Sequence, residues 1–324
     1  MTRARRNKVS LAQTPYYHCV ARCVRRAWLC GKDDYTGGDY SHRKAWVLDR
    51  LQSAARVFAM EICAFAVMSN HFHVVLFVDV PKARNWTERQ VIKRWQTLFK
   101  LPALVERYRS GATQGAAEKA AARQMIEEWR GRLTDVSWFL RSVKEPLARQ
   151  ANAEDGCTGR FWEGRFKSQA LLDEVGVLLA MAYVDLNPVR GGLAATPEAS
   201  SYTSVYERTR ARKGKSTGFR LRRFRGAGAP ERALPCSEDD YLTLLDWTGR
   251  LIRGQSGHID HDIPPILKRL NVATAAWQEA MQPHGNVFGR AVGQLDTMRL
   301  HAKALGQKWV RGVRQAERLG CIEE

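Results

Sequence analysis

The stretch Val67–Val78 reads V-M-S-N-H-F-H-V-V-L-F-V. Side chains alternate across a strand, so His71 and His73 share one face and Phe72 takes the other. The apolar run Val74–Val78 is the pattern of a strand buried on both faces. Two imidazoles two residues apart on a rigid strand can reach a single cation. The same H-x-H spacing also arises from two unrelated polar residues at a strand end, so the motif needs support from elsewhere in the chain.

On the N-terminal side, Tyr16–Val24 (Y-Y-H-C-V-A-R-C-V, containing His18 and Arg22) alternates and is rich in β-formers, which predicts a first strand. Ser41 is an N-cap for a helix to about Val57, and Ile62–Val67 is a second strand. It joins the histidine strand through a Ser69-Asn70 hairpin connection. Strand, helix and hairpin fit a small antiparallel sheet with helices on one side, an α+β arrangement.

After Pro81 the pattern is helical, with helices at Trp86–Lys100, Glu118–Arg132 and Asp135–Ala151; Pro146 either kinks the third or ends its first part. The segment Gly159–Glu174, G-R-F-W-E-G-R-F-K-S-Q-A-L-L-D-E, interleaves Arg160, Arg165 and Lys167 with Phe161, Trp162 and Phe166. Cations beside planar rings suit phosphate contact plus base stacking. An amphipathic strand with its rings in the core and its charges in water has the same pattern. Asp173 caps a very apolar helix from Glu174 to about Asn187, which Pro188 ends. Tyr183 and Asn187, four residues apart, sit on one face of it.

The net charge of +19, from 52 Lys+Arg against 33 Asp+Glu, favours a polyanionic partner, most simply nucleic acid. An anionic membrane surface is the competing reading of that charge. No stretch approaches the ~20 apolar residues of a spanning helix, and the N-terminus has no apolar signal-peptide core, which points to a cytoplasmic protein. The seven cysteines form no C-x-x-C pair, which argues for reduced thiols and against a zinc knuckle. Residues 1–10 read as a basic arm. Residues 207–226 carry nine basic residues and one acid and read as part of an interdomain linker, either disordered or clamping DNA. The expected organisation is a catalytic domain over 1–206, a basic linker over 207–236 and a helical C-terminal domain over 237–324 of open role. The run His258–Asp262 reads as a polar turn.

Taken together, M-S-N-H-F-H-V-V-L, G-R-F-W-E-G-R-F-K-S and A-Y-V-D-L-N-P-V-R-G-G-L resemble the HUH-type tyrosine transposases, in their REP-associated branch, over roughly residues 10–200. The resemblance implies a ferredoxin-like antiparallel core. His71, His73 and Asn187 would be ligands of Mg²⁺ or Mn²⁺, and Tyr183 would be a nucleophile that leaves a 5′-phosphotyrosine. The implied substrate is single-stranded or hairpin DNA of the repetitive extragenic palindrome kind, cleaved and rejoined. Arg22, Trp162, Arg165, Lys167 and Arg190 are the candidate DNA contacts by position. A homodimer stays open. Two alternatives keep the fold, a catalytically silent hairpin-binding regulator and an HUH replication initiator. The initiator commonly pairs its tyrosine with Lys, where this chain has Asn187. A two-histidine phosphodiesterase needs H-x-[S/T] twice, and one histidine pair is present.

Overall fold

The computed structural model describes residues 10–24, 29–33, 37–112, 115–215, 218–230, 232–252, 264–281, 289, 291–313 and 316–317. All of the basic arm over residues 1–10 except Ser10, and the run His258–Asp262, lie outside the described residues. Within them the chain is a mixed α/β fold with five strands and thirteen helices. The strands are β1 (Tyr16–Arg22), β2 (Met60–Val67), β3 (His71–Val78), β4 (Lys167–Leu171) and β5 (Ala291–Val292), in the sheet order β2-β3-β1-β4-β5. β1 is antiparallel to both β3 and β4, and β5 is parallel to β4. The three-residue Met68–Asn70 connection leaves room only for a hairpin between β2 and β3.

Compactness divides the chain into two units. The first comprises residues 1–44, 62–77 and 162–324, and the second residues 45–61 and 78–161. The second holds α1 (Arg43–Val57, from Ala45 on), α2 (Val80–Arg84), α3 (Glu88–Leu98), α4 (Ala103–Ser110), α5 (Ala116–Arg132) and α6 (Val136–Glu154). Thr87 and Gln90 close a capping box at the start of α3. Trp95 on α3 lies parallel to Trp129 on α5 at 5.0 Å and stacks on Phe99 at 4.3 Å, while the Arg132 guanidinium covers Trp138 at 4.4 Å. Pro146 stays inside α6 without ending it.

In the first unit the core gathers on one sheet face, around α7 (Glu174–Asp185). Asp173 caps α7 by accepting from the Gly176 amide at 2.8 Å, and all but two of its residues are buried. Gly176 is required: a Cβ there would lie 2.4 Å from the Val292 carbonyl oxygen on β5. Pro188 does not simply stop the helix as expected. It sits in the first turn of a short α8 (Asn187–Arg190), where its missing N–H costs nothing.

The expected linker is packed instead. Residues Ser204–Arg212 form α9, and Leu221 bridges to Ile62. Arg208 and Arg222 are buried: Arg208 donates to the carbonyls of Cys63 and Arg222, and the Arg222 guanidinium lies 3.4 Å from the centre of the Phe77 ring. Planar guanidinium groups can be buried this way because their faces pack on rings, Phe224 for Arg208 and Phe77 for Arg222. Beyond it, α10 (Glu238–Ile252), α11 (Pro265–Arg269) and α12 (Thr274–Met281) put Tyr241, Leu244, Leu267 and Trp277 into the same core as α7. Further along, the expected helical C-terminal region also holds a strand: the described residues there form β5 and α13 (Leu295–Ala304). The compactness division groups these C-terminal elements with the first unit.

Asp185 ties these pieces together. Its buried carboxylate accepts from Ser204 Oγ at 2.5 Å, the Val205 amide at 2.9 Å and Tyr241 Oη at 2.7 Å, joining α7 to α9 and α10. Asp185→Ala leaves the Val205 amide and Tyr241 Oη without this acceptor and Ser204 Oγ with the longer bond to the Phe65 carbonyl at 3.5 Å, and should cost about 3–5 kcal/mol. Denaturant unfolding measures this, and a loss below about 1 kcal/mol would mean that water replaces the carboxylate.

Candidate active site

Strand register assembles the site. On β1, His18, Val20 and Arg22 share a face by alternation. Val20 stands opposite His73 and Arg22 opposite His71 on β3; His18 stands opposite Gln169 and Val20 opposite Lys167 on β4. The row therefore carries three imidazoles, a carboxamide and two cations on the face that also packs α7. Diagonal neighbours on adjacent strands lie within reach of aromatic side chains, which lets His18 meet His73.

The polar groups form one directed chain. Gln169 Nε2 donates to the Gly289 carbonyl at 2.8 Å, which orients the amide so that its Oε1 faces His18 Nδ1 at 2.8 Å. His18 Nδ1 therefore carries the proton, and His18 Nε2 accepts from His73 Nδ1 at 2.9 Å. The two rings are 10° from parallel with centres 5.1 Å apart. That spacing belongs to imidazoles joined nitrogen to nitrogen in a common plane, since face-to-face rings would sit closer. His73 Nε2 is left with its lone pair, facing Asn187 Nδ2 at 3.0 Å. His71 is fixed separately: its Nδ1 donates to Asn70 Oδ1 at 2.7 Å, which frees its Nε2 lone pair.

Burial keeps these rings uncharged. It is the largest influence on all three and lowers His18 and His71 to about 4 and His73 well below its ordinary value. Neighbouring positive charge adds to the effect, from Arg22 on His71 and from Arg190 on His18 and His73. At neutral pH the ring lone pairs are available as donors.

Tyr183 is half-buried on α7, with its ring centre 5.9 Å from that of His73 and 6.3 Å from that of His18. The Arg190 guanidinium lies over it, 3.5 Å from the ring centre, and Nη2 donates to the Tyr183 carbonyl at 3.0 Å. His71, His73, Tyr183 and Asn187 line one open pocket of about 620 Å³, whose wall also includes Arg22, Glu163, Arg165 and Lys167. The donor set suits a divalent cation: two neutral imidazole nitrogens, with Asn187 able to offer Oδ1 after a half-turn of its amide, and no thiolate. Such a set leaves coordination positions for substrate oxygens.

Four of the sequence-predicted residues thus meet, and the candidate DNA contacts divide. Arg22, Arg165 and Lys167 are exposed on the pocket wall. Arg190 is instead engaged with Tyr183. Trp162 is 8% exposed and meets Phe72 edge-on at 5.9 Å, and Phe161 and Phe166 are buried as well. In this segment the rings face inward and the cations outward, so a base has no open face of Trp162 to stack on. His18, Gln169 and Asn70 had no role assigned from sequence. The alternation that placed His18 on a strand was the available signal for it, but only the β1–β4 register pairs it with Gln169.

No helix among the described residues is long and apolar enough to cross a membrane. No family model matches the chain, and no curated protein matches it. Among solved structures, the chain is similar to a REP-associated tyrosine transposase bound to a REP hairpin, at 15% identity and a TM-score of 0.38, over 72% of this chain and 98% of that one.

Proposed function

We propose that this chain is a DNA strand transferase that cleaves and rejoins single-stranded DNA beside hairpins through a covalent bond to Tyr183. One observation carries the reading. A tyrosine on a rigid helix has its ring 5.9 Å from that of a neutral histidine, in a pocket shared with a second histidine and an asparagine. The strand order β2-β3-β1-β4, with β1 antiparallel to both neighbours, supports reading the core as ferredoxin-like. The motifs around His71, His73 and Tyr183 support the HUH class.

In this mechanism the Tyr183 oxygen, having lost its proton, attacks the scissile phosphorus. The P–O3′ bond breaks as the Tyr–O–P bond forms, and the departing 3′ oxygen takes up a proton. The 5′-phosphotyrosine keeps the energy of the broken bond, so a second 3′-OH can reverse the step without an external energy source. Arg190 holds the Tyr183 ring in place and puts a positive charge beside the phenolate that attack requires. Arg22, Arg165 and Lys167 hold the strand by its phosphates. His71, His73 and Asn187 would bind Mg²⁺ or Mn²⁺, which supplies charge withdrawal from the non-bridging phosphate oxygens.

The test is covalent capture on end-labelled single-stranded oligonucleotides carrying a hairpin, taken from DNA flanking the coding region, with Mn²⁺. A 3′ label should travel with the protein through SDS, and a 5′ label should leave on a fragment ending in 3′-OH. Failure of every such hairpin to give an adduct, with Mn²⁺ or Mg²⁺, would remove the proposal.

A further inference from the structure

We infer that His18 is a positioning residue that holds His73 in the tautomer with its proton on Nδ1, so that the Nε2 lone pair faces the pocket. The inference rests on the reading above only in its metal-binding consequence, because the tautomer is a property of the protein alone.

His73 is 5% exposed and His18 2%, so the polar groups of both rings are buried and call for partners within the protein. Among the described residues, the acceptor for His73 Nδ1 is His18 Nε2 at 2.9 Å. That nitrogen can accept only while His18 holds its own proton on Nδ1, and Gln169 Oε1 at 2.8 Å keeps it there. Gln169 could reverse its amide and present N–H to His18, but the opposite end would then set its oxygen against the Gly289 carbonyl at the position where Nε2 now donates. A main-chain carbonyl cannot change from acceptor to donor. The polarity of the whole row is therefore set at Gly289 and passed through Gln169 and His18 to His73. This also gives the C-terminal segment a part in the site, because residue 289 supplies the terminal acceptor.

Metal-binding histidines characteristically donate their second ring N–H to a fixed acceptor, which orients the ring and selects the tautomer. Here a neutral imidazole backed by a neutral carboxamide fills that place, so the orientation comes without adding negative charge to the site. With a carbon side chain at position 18, His73 Nδ1–H would be buried without an acceptor. The ring would then gain by moving its proton to Nε2, where it closes off the pocket-facing lone pair.

The measurement is ¹⁵N NMR of the metal-free, full-length chain labelled on histidine, together with Mn²⁺ titration by calorimetry. In the wild type, His73 should show a protonated Nδ1 and an unprotonated Nε2. In His18→Leu the proton should redistribute to Nε2 and Mn²⁺ affinity should fall about 10–100-fold. His18→Gln, which keeps an acceptor oxygen near the Nε2 position, should restore most of both. A wild-type His73 protonated on Nε2 overturns the assignment without any variant, so it stays testable even if His18→Leu does not fold. A folded His18→Leu protein with unchanged tautomer and Mn²⁺ affinity overturns it as well. If the tautomer moves as stated while even the wild type binds no Mn²⁺, the metal-dependent function fails and the His18 assignment stands.

Discussion

Tyr183→Phe should give no SDS-stable DNA adduct and should lower strand cleavage on the order of 10⁴-fold or more, the scale seen when a covalent nucleophile is removed. Hairpin binding should stay within about threefold of wild type, because the change deletes one oxygen and none of the phosphate-facing cations. The ring keeps its place for the same reason. Its contacts with His73, His18 and the Arg190 guanidinium are made by the ring, and Arg190 donates to the main-chain carbonyl of residue 183, which phenylalanine also has. The variant therefore separates chemistry from binding, which a larger truncation at this position would not. An adduct that survives in Tyr183→Phe would assign the nucleophile to another side chain. Loss of binding and cleavage together would assign the tyrosine to DNA recognition.

The parts of this site that could be read from sequence are those governed by spacing along one element. His71 and His73 follow from the two-residue period of a strand, and Tyr183 and Asn187 from the four-residue spacing of a helix. His18 and Gln169 are 151 residues apart and meet only because β1 and β4 pair in one register, and nothing local in either strand encodes that register. Burial direction was likewise undecided in G-R-F-W-E-G-R-F-K-S. Alternation says that rings and cations oppose each other without saying which side is the core. The structure turns Phe161, Trp162 and Phe166 inward. The basic stretch after residue 206 misled for a different reason. Counting its charges assumes they are solvated, whereas Arg208 and Arg222 are buried against Phe224 and Phe77, and Arg208 donates to the carbonyls of Cys63 and Arg222. A strand as short as β5 has no pattern of its own; it exists because β4 offers an edge to pair with.

His71→Ala should reduce metal-dependent cleavage by more than about 10²-fold, beyond the 10–100-fold typical of losing only an outer-shell partner. Folding stability should be nearly unchanged. His71 is the better choice than His73 for this test. It is half-buried at the first position of β3, and its Nδ1 hydrogen bond is to the adjacent Asn70. His73 is buried and bonded to both His18 and Asn187, so its removal leaves two polar groups unpaired and mixes a stability cost into the readout. The cations facing the pocket, Arg22, Arg165 and Lys167, are untouched by His71→Ala, so hairpin affinity measured in EDTA should match wild type. Cleavage assayed against rising Mn²⁺ then separates two origins of the defect. Partial recovery at high Mn²⁺ means that a donor to the metal has been lost and the remaining pair, His73 and Asn187, still binds weakly. Cleavage and EDTA-insensitive binding that fall in parallel, with a lowered unfolding midpoint, would instead make His71 part of the strand's scaffold and take the metal away from this pocket.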